Sequence, residues 1–139
     1  MGKEELKEMI VNYYQSLDLY KGDISKMNDV YNEDMLVYFV GTPAGFTAKD
    51  FLEPSKSYYV AFPDLKHRVE DVIVDGNSAT CRVVAEGTHL GPFQGVEATN
   101  KPISVEAIVA FKVRDKKFSE QRISADMLGL MLTIGAVKK

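Results

Sequence analysis

Ile103, Val105, Ala107, Val109, Phe111 and Val113 recur at every second position, so an extended segment here has one face that is apolar from end to end. This run belongs to a hairpin, "PISVEAIVAFKVRDKKFSEQRISAD", that turns at "RDKK". Upstream, "LKHRVEDVIVDGNSATCRVVAEGTH" reads as two strands around Asp75-Gly76-Asn77, a strong hairpin signal. A loop from His89 to Lys101 joins the two hairpins. The second half of the chain is thus committed to four antiparallel strands.

The first half has a different period. In "KEELKEMIVNYYQSLDLY" the apolar residues Leu6, Met9, Ile10, Tyr13, Tyr14 and Leu17 fall at three- and four-residue steps and form one stripe of an amphipathic helix that Gly22 ends. "DISKMNDVY" predicts a short second helix with Asp23 as N-cap. "DMLVYFVG" has the β-branched and aromatic content of a strand and is closed by "GTPAG". "TAKDFLEPSKSYYVAF" predicts a third helix, capped by Thr47, kinked or interrupted at Pro54 and stopped by Pro63-Asp64. At the C-terminal end "DMLGLMLTIG" predicts a short helix, apolar on most sides and therefore buried. Helices segregated to one face of an antiparallel sheet make an α+β fold.

A chain of 139 residues supports one domain, 1–139, with one modest core. Seventeen basic against twenty acidic residues give a net charge of -3, which disfavours a nucleic-acid-binding face. No apolar run approaches a membrane span. The N-terminal "MGKEELKEM" is charged from its third residue, which is not the pattern of a secretory signal, and it lacks a myristoylation motif. The single cysteine, Cys81, excludes an internal disulfide and a multi-cysteine zinc site. Two distant histidines without a paired acidic motif predict no metal site, and no cofactor is implied. The expected compartment is the cytoplasm.

Alternation assigns faces within the strands. Ala79, Cys81, Val83 and Ala85 share the buried face of one strand, which Gly87 and His89 continue if no bulge intervenes. Val72, Val74, Val84, Ile108 and Ala110 fall on the opposite sheet face, more apolar surface than solvation alone needs, which points to a partner subunit. The last strand is ambiguous: Phe118, Glu120, Arg122, Ser124 and Asp126 share one face, Gln121, Ile123 and Ala125 the other, and charges turned inward are costly unless paired. His89, amid "EGTHLGPFQG", reads either as a proton shuttle or as a loop residue packed on Phe93. His67, between Lys66 and Arg68, reads as a surface residue, Glu70-Asp71 as a solvated face, and Cys81 as a small core residue. Tyr13, Tyr14, Tyr38, Tyr58 and Tyr59 supply aromatic bodies to the interior.

The order of elements, with "AFPDLKHRVEDVIVDGNSATCRVVAEGTHLGPFQGV" and "FKVRDKKFSEQRISADMLGLMLTIG", resembles the SnoaL-like polyketide cyclase family of the nuclear-transport-factor-2-like superfamily. The best-matched parts are Ala61 to Asp64, Gly87-Thr88-His89 with Gly91-Pro92-Phe93 and Gly95, and Asp126 to Gly129. The resemblance implies a cone-shaped α+β domain whose strongly curved antiparallel sheet holds helices on its concave face around an apolar pocket. It implies that Asp126 is the acid/base of an intramolecular aldol ring closure, that His89 assists, and that Arg122, Ser124 and Asp126 face the pocket. Three positions depart in type from the family: Tyr38, Val109 and Glu120-Gln121-Arg122.

On this reading the protein is a cofactor-independent cyclase, isomerase or dehydratase for a small apolar carbonyl compound, with Asp126 and His89 catalytic. Tyr14, Tyr38, Tyr58, Phe62, Phe93, Val109 and Arg122 would bind the ligand, and a homodimer would form through the outer sheet face, as is usual in the family. The alternative is a non-catalytic ligand-binding or assembly module. For Asp126 the two uses oppose each other: a carboxylate in an apolar pocket is a base, whereas an N-cap of the last helix is not.

Overall fold

A computed structural model describes residues 1–41 and 44–138. The helix α1 spans Lys3–Leu19, followed by one turn of 3-10 helix over Ile24–Lys26. Then come β1 (Tyr31–Phe39), a two-residue β2 (Phe46–Thr47), α2 (Ala48–Ala61), β3 (Lys66–Asp75), β4 (Ser78–Thr88), β5 (Pro102–Arg114), β6 (Lys117–Ala125) and α3 (Met127–Ile134). The strands form one curved, unclosed sheet in the order β2-β1-β6-β5-β4-β3. Its pairs are antiparallel except β1 with β6, which run parallel.

Local signals account for most of these elements. The stripe on α1 is buried at Leu6, Ile10, Tyr13, Tyr14 and Leu17. Asp23 accepts a hydrogen bond from the Ser25 amide and starts the 3-10 turn, shorter than the helix the sequence predicts. Thr47 caps α2 through the Asp50 amide. The "GTPAG" turn includes residues 42 and 43, which lie outside the described residues. Contrary to the expected interruption, α2 runs on through Pro54. Losing one helical hydrogen bond there costs ~3 kcal/mol in an exposed helix, and burial of Phe51, Ser55 and Tyr59 on the same helix offsets it. The helix α3 is buried only along Leu130 and Ile134, while Leu128 is 63% exposed, so its apolar residues are not all enclosed.

Both hairpins turn where expected. Asp75 pairs with Ser78 across Gly76-Asn77, with φ +61° at Gly76. Arg114 pairs with Lys117 across Asp115-Lys116, both of which have positive φ, 55° and 63°, as a type I′ turn requires.

The register sets the faces. Val72, Cys81, Val109 and Ile123 form one inward row across four strands, and Val74, Ala79, Phe111 and Gln121 the next. Val72 and Val74 therefore face the core, not the outer surface as alternation suggested. The tight turn sets this, placing Val74 opposite Ala79 and Val72 opposite Cys81; farther from the turn comes a bulge, where Val69 pairs with Val83 and Asp71 with Arg82, leaving Glu70 as an extra residue. One inserted residue reverses the phase of a strand, so His67 and Val69 before it and Val72 and Val74 after it all point inward. On β6 the inward face is Gln121, Ile123 and Ala125, not that of Arg122. The outer face carries ion pairs instead: Arg82 with Asp71 and Glu106, Arg68 with Glu70 and Glu86, and Lys112 and Arg122 with Glu120. Among the described residues no helix is long and apolar enough to cross a membrane.

Candidate functional site

The helices leave a cavity of about 150 Å³ against the inner face of the sheet. The helix α1 contributes Tyr13, Tyr14 and Leu17, α2 contributes Phe51, Tyr58 and Tyr59, with Phe62 at its C-terminal cap, and α3 contributes Met127 and Leu130. Small side chains of the sheet, Val83, Ala85, Ala107, Val109 and Ala125, keep the space open. No Lys, Arg, Asp or Glu lines it among the described residues. The polar groups on the wall are Ser55, His67, Gln121 and four tyrosines. An apolar cavity of this size holds one aromatic ring.

The polar groups are concentrated around His67, whose side chain is only 14% exposed. Its Nδ1 lies 2.7 Å from Asp18 Oδ1, and its backbone N–H donates to Asp18 Oδ2 at 2.8 Å. The Tyr59 hydroxyl donates to the same Asp18 Oδ1 at 2.6 Å. The Tyr14 ring stacks on the imidazole, centroids 5.1 Å apart and planes 26° apart. Burial pushes the Asp18 carboxyl up, but the bonds from the His67 ring, the Tyr59 hydroxyl and the His67 amide outweigh it and hold the carboxyl below its ordinary value. An ionised carboxylate only accepts, so Nδ1 of His67 carries the proton of this bond, and in the neutral ring the lone pair is on Nε2. Nε2 makes no hydrogen bond to a described residue.

The tyrosines differ in how they are engaged. Burial raises the Tyr13 hydroxyl to about 12, partly offset by its hydrogen bond with Gln121. Burial, with Cys81 beside it, raises Tyr14 well above 10. Burial and the bond to Asp18 raise Tyr59 further. Tyr58 is raised by burial alone, and its hydroxyl has no partner among the described residues.

Of the residues singled out from the sequence, Tyr14, Tyr58, Phe62 and Val109 line the cavity together. Phe93 is buried one layer back, 5.6 Å from Tyr58 and 5.3 Å from Phe62 between ring centroids. Tyr38 and Arg122 pair across β1 and β6 on the outer face, the guanidinium 4.1 Å from the ring centre. An inward Arg122 would lose its water; outside, its guanidinium also bonds Glu120, 3.1 Å away. His89 is fully buried but does not line the cavity. Its Nδ1 is held by the Thr99 hydroxyl at 2.9 Å and the Thr99 amide at 3.3 Å, and its main chain bonds Lys101 and Asn100. Its Nε2 is buried without a partner among the described residues. Asp126 is exposed and its Oδ1 accepts from the Gly129 amide at 2.8 Å, the N-cap of α3. It too is absent from the cavity wall, although its neighbours Ala125 and Met127 belong to it.

The residue that sequence reasoning misplaced is His67, expected at the surface. The bulge at Glu70 hid its direction. A signal was nonetheless present: Asp18 lies four residues after Tyr14, on the buried stripe of α1, where a carboxylate needs partners from inside. Among the described residues no three His, Cys, Asp or Glu side chains cluster closely enough to hold a metal ion.

A family model described as SnoaL-like polyketide cyclase matches residues 8–134. No curated protein matches the chain. Among solved structures, a protein of Jannaschia sp. CCS1, proposed to be a SnoaL-like polyketide cyclase, superposes with a TM-score of 0.84 at 20% identity, covering 97% of this chain and 94% of that one. IdmH of Streptomyces antibioticus, proposed to be a polyketide cyclase, gives 0.82 at 22% identity over 93% and 97%. AclR of Streptomyces galilaeus, proposed to be a hydroxylase, gives 0.80 at 21% identity over 98% and 96%. At these identities the likeness is one of fold.

Proposed function

Because this chain belongs to the SnoaL-like polyketide cyclase family, we propose that it is a small enzyme that moves a proton at a carbon beside the carbonyl of an uncharged, apolar, one-ring compound. Cyclisation, isomerisation and dehydration all begin with this step. The observation that carries the reading is the cavity itself: about 150 Å³, apolar, without a charged side chain on its wall, and bordered by hydroxyl and imidazole groups. Proton transfer of this kind needs nothing beyond side chains. A free hydroxyl such as that of Tyr58 suits the oxygen of an enolate, since a donor aimed at developing charge in a dry site is worth most.

A second reading places the base at Asp126, which matches the acid/base position of the family. What favours it is that Ala125 and Met127, on either side of it, both line the cavity. It requires the carboxylate to leave the Gly129 amide and turn inward. We also propose a homodimer through the outer sheet face, around Val84, Ile108 and Ala110, supported by the 44% exposure of Ile108.

The test is exchange of the α-proton of ethyl 2-oxocyclopentanecarboxylate, a neutral one-ring β-keto ester, followed by proton NMR in D₂O. Saturable acceleration over buffer is the expected result. Acceleration that vanishes in Asp126→Asn, which keeps the cap, would give the base to Asp126. Binding without any acceleration, for this ester and for a series of one-ring ketones, would make the protein a binding module and overturn the enzyme reading.

A further inference from the structure

Among the polar groups on the cavity wall, four tyrosines, Ser55, Gln121 and His67, only the imidazole carries a nitrogen lone pair of useful basicity near neutral pH. We propose that His67 and Asp18 form a catalytic dyad in which Nε2 of His67 takes the proton from the carbon beside the ligand's carbonyl and Asp18 holds the ring in place. This rests on the proton-transfer reading above and names the group that performs it.

Three features go beyond what a structural histidine needs. The ring is fixed from three sides, with Asp18 on Nδ1, the main-chain N–H of His67 on the same carboxylate, and the Tyr14 ring stacked on its face. Asp18 is itself held by Tyr59, so the carboxylate cannot swing away and the tautomer with a free Nε2 is enforced. An imidazole supported in this way is a general base with a fixed direction. The third feature is the position of the ring between two spaces. His67 lines the apolar cavity and also a polar groove formed with Asp64, Lys66, Arg68, Glu86 and Gly87. A proton collected inside can therefore be exchanged with solvent through the same ring.

The step balances without a co-reactant. The C–H bond breaks, its proton goes to Nε2, and its electron pair forms the C=C bond of the enolate as the carbonyl π pair moves to oxygen. The Tyr58 hydroxyl, unpartnered on the same wall, donates to that oxygen. Return of a proton from Nε2 to carbon regenerates the neutral imidazole. Asp18 and Tyr59 are positioning residues.

The experiment uses the full chain and the same keto ester. His67→Asn is the informative variant, because its amide nitrogen stands where Nδ1 stands and keeps a donor for Asp18 while Nε2 is removed. It is expected to keep its melting temperature within a few degrees and the ester affinity within a few-fold, and to lose on the order of a hundredfold to ten-thousandfold in exchange rate. Asp18→Asn is expected to lower kcat at least about tenfold with KM within a few-fold, with rates referred to the folded fraction measured by circular dichroism, because a loss of folded protein alone lowers apparent kcat at constant KM. Nitrogen NMR of the wild-type ring should show the proton on Nδ1. If His67→Asn fails to fold, the Asp18→Asn kinetics and the ring tautomer decide: a mobile tautomer and an unchanged kcat overturn the dyad. Wild-type rates in folded His67→Asn overturn it too, while leaving the enzyme reading intact. No acceleration over buffer by the wild type, for this ester and for the series of one-ring ketones, overturns both.

Discussion

Asp18 shows at the scale of a single side chain how a site can be half readable. Its place on the buried stripe of α1 is plain from the four-residue step to Tyr14, but its partners come from Tyr59 and His67, which are 41 and 49 residues away in sequence. No local pattern joins them. Because its bonds hold the folded-state carboxyl below the ordinary 3.8, the ionised form favours the fold. The stabilisation is present above pH 3.8 and is lost as pH falls through the lower, folded value. Urea midpoints measured from pH 6 downward should decline along this limb in the wild type, and Asp18→Asn should flatten the decline while lowering the plateau. Equal slopes for the two proteins would show that the carboxyl is not held in this way. Asp126 is the opposite case. Its local string predicts an N-cap and the structure has one, so what stays open about it is chemistry and not placement.

Elements were legible where their signals are local and illegible where a neighbour decides. The Asp75-Gly76-Asn77 and Arg114–Lys117 hairpins, the Thr47 cap and the α1 stripe each follow from a few adjacent residues. The inward face of β6 does not: Gln121 against Arg122 is settled by register with Phe111 and Ala110 on β5. The bulge in β3 has no glycine or proline to announce it, and alternation read through Glu70 comes out reversed. The second hairpin still carries a backbone cost. Lys116 has φ +63°, and a side chain in that region costs roughly 1–2 kcal/mol. Lys116→Gly removes it but gives back ~0.5–1 kcal/mol through the freer unfolded chain. A net gain of about 0.5–1 kcal/mol is expected, seen as a rise in Tm of about 3 °C. A lower Tm would mean that the lysine contributes packing that outweighs its conformation.

For the whole molecule, α+β class and the layering of helices on one sheet face were available from the order of elements, because four consecutive strands can hardly be arranged otherwise. The parallel pairing of β1 with β6 was not, since it joins segments some eighty residues apart and depends on how far the sheet curls. The proposed dimer belongs at this scale too. Sedimentation at about ten micromolar should give twice the 15.5 kDa chain mass, and Ile108→Lys, which places an unpaired charge in mid-face, should give the single mass with an unchanged circular dichroism spectrum. A wild-type monomer would remove that proposal. The bulge that turns His67 inward also acts at the border of the sheet, for β3 is one of its two outermost strands. An outermost strand of ten residues is an open template on which other chains can add strand by strand into insoluble aggregates. An irregular ladder at Glu70, with Lys66, Arg68 and Asp71 exposed around it, spoils that template. The bulge that turns His67 inward thus also breaks up an exposed sheet edge.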